Sequence, residues 1–318
     1  MQKKYKFAVI LCTLNEEKTI ENRINNLLET KIPANSVLDI YIFDNHSTDQ
    51  TRKIIEESVE YKKKVFLFDT GRTGKCNSIF TATNILMESY DYFILTDANT
   101  TTKTDFLEIL HAKILEDCSY DLFVCNMRHV KMDRDGIEYF ASSNNRLSVR
   151  HRIEERLGKS SGANGGLYMV SAVSMQNIVN LDRVRNDDFI ISCYAQRNGK
   201  TAWCAAAKAF ETEYSDKNLF RAKFRDARGH MQALAWLFRN IESKWTYYFV
   251  CMRLFFWFTP LIFFILILLA YPSSVFLFLT LMFVSGRIRI LTVKFLALHL
   301  GIVSSAIFNT PSQWSPLR

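Results

Sequence analysis

No two cysteines in this chain are spaced as Cys-x-x-Cys, although it has seven of them. Cys12, Cys76, Cys118, Cys125, Cys193, Cys204 and Cys251 form an odd set, which speaks against a disulfide framework and against a thiolate zinc site. They are expected to be small buried side chains in a reducing compartment. A secretory leader pattern is missing too. The basic start, Met1 to Lys6, is followed by an apolar run that stops at Asn15-Glu16-Glu17, so the polar part of the chain is expected to stay in the cytoplasm. Nor does any basic run alternate with aromatics along a groove-like stretch. A net charge of +8 and a pI near 9.0 therefore do not point to nucleic acid. Charge itself disappears near the C-terminus, where Arg253 is the only charged residue from Tyr247 to Val284.

That loss of charge divides the 318 residues. Residues 1–220 mix charged and apolar side chains as a folded domain does, 221–246 form a basic amphipathic connector, and 247–318 a membrane-seeking region. Leu254 to Tyr271, interrupted by Pro260, has the length of one span. Ser274 to Val284 is a shorter second stretch, after which Arg287 and Arg289 can reach the headgroups. Two spans would return those arginines to the cytoplasmic side. Leu291 to Phe308 carries Lys294 and His299 and suits an interfacial or re-entrant helix. The basic residues between Arg221 and Lys244 suit an anionic leaflet, so membrane lipid is an expected partner. The expected location is the cytoplasmic membrane.

The first half of the chain alternates two patterns. Phe7–Leu14, Val37–Phe43, Lys64–Phe68 and Tyr92–Leu95 are short apolar runs of the buried-strand type. Between them, residues 15–29, 48–61 and 73–89 carry apolar side chains at helical spacing. Strand–helix alternation predicts an α/β fold with a mostly parallel sheet. Polar clusters follow each strand: Asn15-Glu16, Asp44 to Asp49, Gly71 to Lys75, and Asp97 to Asn99. Any one of them reads equally well as a turn or a helix cap. Four in succession, at the strand ends where open α/β sheets bind ligands, predict a site.

In these residues the chain resembles the nucleotide-sugar glycosyltransferases of family 2, which have the GT-A fold. Thr13-Leu14-Asn15-Glu16 is similar to the family's first donor-contact motif, and Phe43-Asp44-Asn45-His46-Ser47-Thr48-Asp49 to its aspartate-rich second motif. Gly71-Arg72-Thr73-Gly74-Lys75 resembles its glycine–lysine loop, although Phe80 stands where asparagine is common. Thr96-Asp97-Ala98-Asn99 is similar to the metal-binding Asp-x-Asp element, with Asn99 for the second carboxylate. Gly162-Ala163-Asn164-Gly165-Gly166 resembles the acceptor-side glycine segment, Asn186-Asp187-Asp188-Phe189 the acidic pair with the catalytic base, and Arg225-Asp226-Ala227-Arg228-Gly229 a basic element that closes the site.

The resemblance implies inverting transfer of a hexose or N-acetylhexosamine from a nucleoside-diphosphate sugar, a UDP-sugar being the expected donor. The acceptor would be a hydroxyl on a lipid-linked or cell-surface glycan. Leu14, Asn15, Glu16, Asp44, Arg72, Gly74, Lys75, Asp97, Arg225 and Arg228 would contact the donor, and Gly165, Gly166 and Asp187 the acceptor. A divalent cation, Mg²⁺ or Mn²⁺, would sit on Asp97 and Asn99 and neutralise the leaving diphosphate. Asp97 has a second reading, as a ligand of the ribose. Asp188 is the expected base, with Asp187 as the alternate, and either one could instead cap the helix near Phe189. Arg225 and Arg228 share a helix face and could grip diphosphate oxygens or lipid phosphate. The glycine–lysine loop is not a P-loop, because its spacing is short and Cys76 follows the lysine.

Other readings remain. A sugar-nucleotide pyrophosphorylase would carry a glycine-rich signature near its N-terminus. A processive polysaccharide synthase would carry tryptophan where Gly229 stands. A membrane protein that only binds nucleotide sugar would be consistent with the departures at Phe80 and Asn99.

Overall fold

The computed structural model describes residues 3–132, 138–140, 149–160, 162–176, 186–197, 199–212, 216–240, 251, 254–255, 258–259, 262, 265–266, 269–271 and 286–307. The four predicted strands form as β1 (Tyr5–Thr13), β2 (Ser36–Asp44), β3 (Val65–Asp69) and β4 (Tyr92–Thr96). They pair in parallel in the spatial order β3-β2-β1-β4. β1 lies between two neighbours and under helices, so Phe7 to Thr13 are all buried. The continuous apolar run follows from that position.

The expectation of a mostly parallel sheet is corrected beyond β4. There the sheet continues through β8 (Leu167–Ser171), β6 (Tyr120–Met132), β9 (Lys200–Thr212) and β5 (Thr100–Thr102). β8 is antiparallel to both β4 and β6, β9 runs parallel to β6, and β5 is antiparallel to β9. A further strand, β7 (Glu138–Phe140), pairs with β6. The sheet is therefore mixed. Helical periodicity upstream carries no information on the direction in which the later strands join the sheet.

The helices are shorter than the periodic patterns that announced them. α1 (Ile20–Leu28) buries Ile20, Ile24 and Leu27, and α2 (Thr51–Glu56) buries Thr51 and Ile55. α3 (Lys75–Leu86) starts after Gly74, whose φ of 89° and ψ of 156° suit a residue without a side chain. The residues ahead of α1 and α2 instead form ligand-edge turns. α4 (Phe106–Glu116) buries Phe106, Leu107, Leu110 and Ile114, α5 (Val149–Leu157) follows β7, and α6 (Asp187–Ala195) precedes β9.

Two compact units are present, Met1–Glu213 and Tyr214–Pro311, with a few C-terminal residues apart. The second contains α7 (Asp216–Asn240) and α8 (Gly286–Ile307). α7 buries Ala227, Ala233, Leu234 and Leu237, and α8 buries Ala297 and Ile302. The two helices meet at Gly301, where a Cβ would stand 2.7 Å from Ala227 Cβ and 2.8 Å from the Phe224 carbonyl oxygen. Backbone cannot yield as a side chain can. Gly301→Val should therefore destabilise the helix pair by about 1–3 kcal/mol. Thermal unfolding of the full chain checks this, and an unchanged transition would show that the crossing has slack.

Among the described residues no helix is long and apolar enough to cross a membrane. The expected second stretch, 274–284, lies outside the described residues, as does much of 254–271.

Candidate active site

The site is built at the C-terminal ends of β1, β2 and β4, where the strand order reverses about β1. β1 ends beside β2, and Thr13 Oγ1 donates to Asp44 Oδ1 at 3.0 Å. The chain leaves β1 through Asn15, whose φ of 55° is left-handed and within reach of asparagine. Asn15 then clasps the loop after β2: its N–H donates to Ser47 Oγ at 2.9 Å, and Thr48 N–H donates back to Asn15 Oδ1 at 2.8 Å. Glu16 N–H donates to Thr51 Oγ1 at 2.8 Å, while Leu14 is half-buried beside them.

Asp44 is 0% exposed and also accepts from Ser47 N–H at 3.0 Å and from Ser47 Oγ. It holds the loop together and presents no free oxygen at the surface. Arg52, which sequence reading missed, lies 3.7 Å from Asp44 Oδ2 and hydrogen-bonds Asp69. Asp69, at the end of β3, is the partly exposed carboxylate of this edge. The Gly71 amide, then Arg52, hold its carboxyl below the ordinary range.

Asn45 ties the second motif to the glycine–lysine loop. Gly74 N–H donates to Asn45 Oδ1 at 2.8 Å, and Asn45 Nδ2 donates to Ser78 Oγ at 2.7 Å. The Asn45 amide serves both ends of this link, accepting from Gly74 and donating to Ser78. This clamp starts α3 and aims Lys75 into the crevice, while Arg72 stays exposed on the loop.

Lys75 joins two of the predicted acids. Its Nζ lies 2.8 Å from Asp97 Oδ1 and 3.3 Å from Asp187 Oδ1, with side-chain exposures of 19%, 33% and 6% respectively. Burial alone would lower the Lys75 pKa, but Asp187 and Asp97 more than offset it and hold it well above the ordinary value. Asp187 is pushed up, by burial first and by the like charge of Asp97, with Lys75 opposing. The second oxygen of Asp187, Oδ2, is buried without a hydrogen-bond partner, as is the Tyr168 hydroxyl.

Asp188 stands one residue further, in the first turn of α6, where its negative charge suits the helix start. Its Oδ1 accepts from Phe189 N–H at 2.8 Å. Asn186, not either aspartate, occupies the cap position. Gly165 lies directly against Asp188: a Cβ on that glycine would come within 3.4 Å of Asp188 Oδ2. Gly166 O accepts from Thr96 Oγ1 at 2.7 Å, so the glycine segment is fastened to the residue before Asp97. Acid, glycines and Asp97 are thus assembled from strands β4 and β8 and helix α6. Beneath them lies Arg23, another residue the sequence did not single out. It is 1% exposed, and its guanidinium donates to Thr96 Oγ1 at 2.7 Å and Asn26 Oδ1 at 2.7 Å. Burial lowers its pKa to about 9, against the pull of Asp97.

Residues 8–171, just over half of the chain, match glycosyl transferase family 2, and this stretch holds the clasped β1–β2 corner, the glycine–lysine loop and the acidic group at the end of β4. The chain belongs to that family. Among curated relatives of this family 2 glycosyltransferase, Protein RfbJ of Shigella flexneri is 41% identical over 58 residues, which are 18% of this chain and 42% of that protein. The chain thus spans less than half the length of that relative. Among solved structures it is similar to the mannosyltransferase PcManGT from Pyrobaculum calidifontis, solved with GDP-Man and Mn²⁺. The TM-score is 0.72 at 17% identity, covering 96% of this chain and 88% of that one. S. aureus TarS with UDP-GlcNAc gives a TM-score of 0.55 at 17% identity, over 80% and 73% of the two chains. GalNAc-T7 with UDP, GalNAc and Mn²⁺ gives 0.53 at 15%, over 68% and 45%. These likenesses speak for the fold.

The first unit of the family 2 glycosyltransferase therefore gathers Asn15, Glu16, Asp44, Gly74, Lys75, Asp97, Gly165, Gly166, Asp187 and Asp188 along one sheet edge. Arg225 and Arg228 lie on α7 in the other unit, where Arg225 pairs with Asp226 at 3.4 Å and Arg228 stands over the Phe224 ring. Asn99 is held by a group that no sequence motif named: its Nδ2 donates to Glu211 Oε1 at 3.0 Å.

Proposed function

We propose that the chain transfers a hexose or N-acetylhexosamine, with inversion, from a UDP-sugar to a hydroxyl of a lipid-linked or cell-surface glycan. The observation that carries this reading is the Lys75–Asp97–Asp187 cluster with Asp188 beside it against Gly165. It puts a charge-compensating group and a proton acceptor at one edge of one sheet, as transfer requires.

The acceptor oxygen attacks the anomeric carbon while Asp188 takes its proton. The bond from that carbon to the diphosphate breaks, and its electron pair leaves with the diphosphate. Because the attack comes opposite the leaving group, a single displacement inverts the centre, by analogy with glycosidases that use one base on that face. Asp187 stays on the acceptor side as a buried neighbour that fixes Lys75. Asn15 and Glu16 hold the loop that Asp44 organises, and this loop forms the wall for the nucleoside. A base N–H would reach Asp44 only by displacing Ser47, since both act on the same carboxylate.

The residues fit a divalent cation. An ammonium bridging two carboxylates marks a place for positive charge, and the second Asp187 oxygen is buried without a hydrogen-bond partner. Among the described residues no three acidic, histidine or cysteine groups converge as a closed cage. Mg²⁺ needs none, since it keeps waters and phosphate oxygens. Asp97 and Asn99 would hold it, and it would neutralise the departing diphosphate.

We place the enzyme on the cytoplasmic membrane, with this unit facing the cytoplasm. The basic connector 221–246 and the apolar stretches 254–271 and 274–284 support that reading.

Purified protein offered a panel of nucleotide sugars with a lipid extract should transfer one UDP-sugar, and excess chelator should abolish the transfer. Full turnover in chelator would remove the cation from the reading. Failure with every donor would reduce it to nucleotide-sugar binding. Recovery of the full-length chain in the soluble fraction without detergent would sink the membrane assignment.

A further inference from the structure

The metal element of this chain is one carboxylate short, because Asn99 replaces an acid. A site made of Asp97 and a neutral amide would carry a single negative charge. The fold, however, brings a second acid to the same place from a distant part of the chain. β5 begins at Thr100, directly after Asn99, and pairs antiparallel with β9 so that Thr100 faces Glu211. That register sets the Glu211 carboxylate 3.0 Å from Asn99 Nδ2. Glu211 is partly buried, and it lies in the same compact unit as Asp97.

We propose that Glu211 supplies the second carboxylate of the divalent-cation site, which therefore consists of Asp97, Asn99 Oδ1 and Glu211. The proposal rests on the metal-dependent reading above. Charge explains the exchange. Asp97 and Glu211 together restore the two negative charges that an Asp-x-Asp pair would give, with one of them moved across the β5–β9 pair. An aspartate at 99 would face Glu211 at hydrogen-bond distance with no proton between them, and the two would repel. Asparagine removes that conflict: its amide donates to Glu211, and its carbonyl oxygen is left to face a cation. The hydrogen bond also orients both groups, as outer partners of metal ligands do.

Asp97 is also paired with Lys75 Nζ, which reaches the almost fully buried Asp187 as well. A metal bound at Asp97, Asn99 and Glu211 would sit on the side of Asp97 contributed by β5 and β9, leaving Lys75 on the α3 side.

The experiment is Mn²⁺ titration of the full-length protein in detergent, with UDP present, followed by electron paramagnetic resonance of the free ion. The wild-type chain should take up Mn²⁺. Glu211→Gln keeps an acceptor for Asn99 but removes the charge, and it should weaken apparent Mn²⁺ affinity at least about tenfold, since even outer-shell partners are worth 10–100-fold. Adding Asn99→Asp to Glu211→Gln returns a carboxylate to the site and should recover most of the affinity, which a misfolded variant would not do. Wild-type affinity in Glu211→Gln would overturn the proposal while leaving the metal reading intact, with Glu211 reduced to a support for Asn99. A loss that Asn99→Asp does not restore would overturn the exchange of positions. Absence of Mn²⁺ uptake by the wild-type chain would overturn both readings together.

Discussion

Asp188→Asn should lower turnover by about 10²–10⁴-fold while leaving the affinity for nucleoside diphosphate nearly unchanged. The substitution keeps size and hydrogen-bonding capacity but gives no place for the acceptor proton at neutral pH. Donor affinity should hold because the donor is served by the Asn15–Asp44 corner, the glycine–lysine loop and Asp97, where the corner and the loop are fastened by hydrogen bonds of their own. If the aspartate served only the start of α6, asparagine would replace it almost silently, since the two residues are close in helix-start preference. Asp188 Oδ1 accepts from the Phe189 N–H, a bond that an asparagine Oδ1 would keep, so turnover is the readout that separates the two roles. Asp44→Ala should show the converse pattern. It removes the acceptor of Thr13 and Ser47 and should weaken nucleotide binding before it slows the chemical step. Turnover and nucleotide affinity measured on both variants separate the roles. A near-wild-type rate for Asp188→Asn would transfer the base to Asp187 or out of α6.

Lys75→Met should destabilise the protein by about 3–5 kcal/mol, the usual cost of leaving one partner of a buried ion pair without its counter-charge. Asp187 would be the stranded group, at 6% side-chain exposure. The pH dependence should change with it. In the wild-type chain the Lys75 pKa is raised. Its contribution is therefore complete below the ordinary lysine value of about 10.4 and fades only as pH rises through the higher folded value. In the variant, the lowering influence of Lys75 on Asp187 is gone, so burial and Asp97 push the carboxyl further up. A carboxyl whose folded pKa is raised binds its proton more tightly when folded, so stability falls as pH rises through that window. Lys75→Met should accordingly be more stable at pH 5 than at pH 8. Lys75→Met combined with Asp187→Asn should recover part of the loss, because no charge is then stranded. Denaturant unfolding at the two pH values checks this, and a pH-independent loss would show that Lys75 acts by packing alone.

How much of this was legible in the sequence differs from element to element. The strands β1 to β4 were readable because each is a short apolar run bounded by polar turns, and burial on both faces leaves that trace. Helix existence was readable, but helix length was not. The polar residues at 15–19 and 48–50 fit a helical pattern equally well, and only their mutual hydrogen bonds across the β1–β2 corner show them to be turns. Asp44 was marked as a ligand contact from its motif. Its complete burial and its bonds to Thr13 and Ser47 show a carboxylate that organises the loop.

Residue type and local order were determined by the sequence itself: an α/β domain, acidic and glycine-rich turns at successive strand ends, and membership of glycosyl transferase family 2 over residues 8–171. Those features are local, since a strand, a turn and the residue after it lie within a few positions of one another. Tertiary structure alone decided the partners. Lys75 meets Asp187 only because α3 and α6 converge at one sheet edge, and Arg23 becomes a buried cation only because α1 lies over Thr96. Glu211 reaches Asn99 across 112 positions because β5 is too short to leave a periodic signal and finds its place by pairing with β9. Contacts of that kind depend on strand register, which is set by hydrogen bonds and burial in the finished sheet and leaves no spacing in the chain to be read.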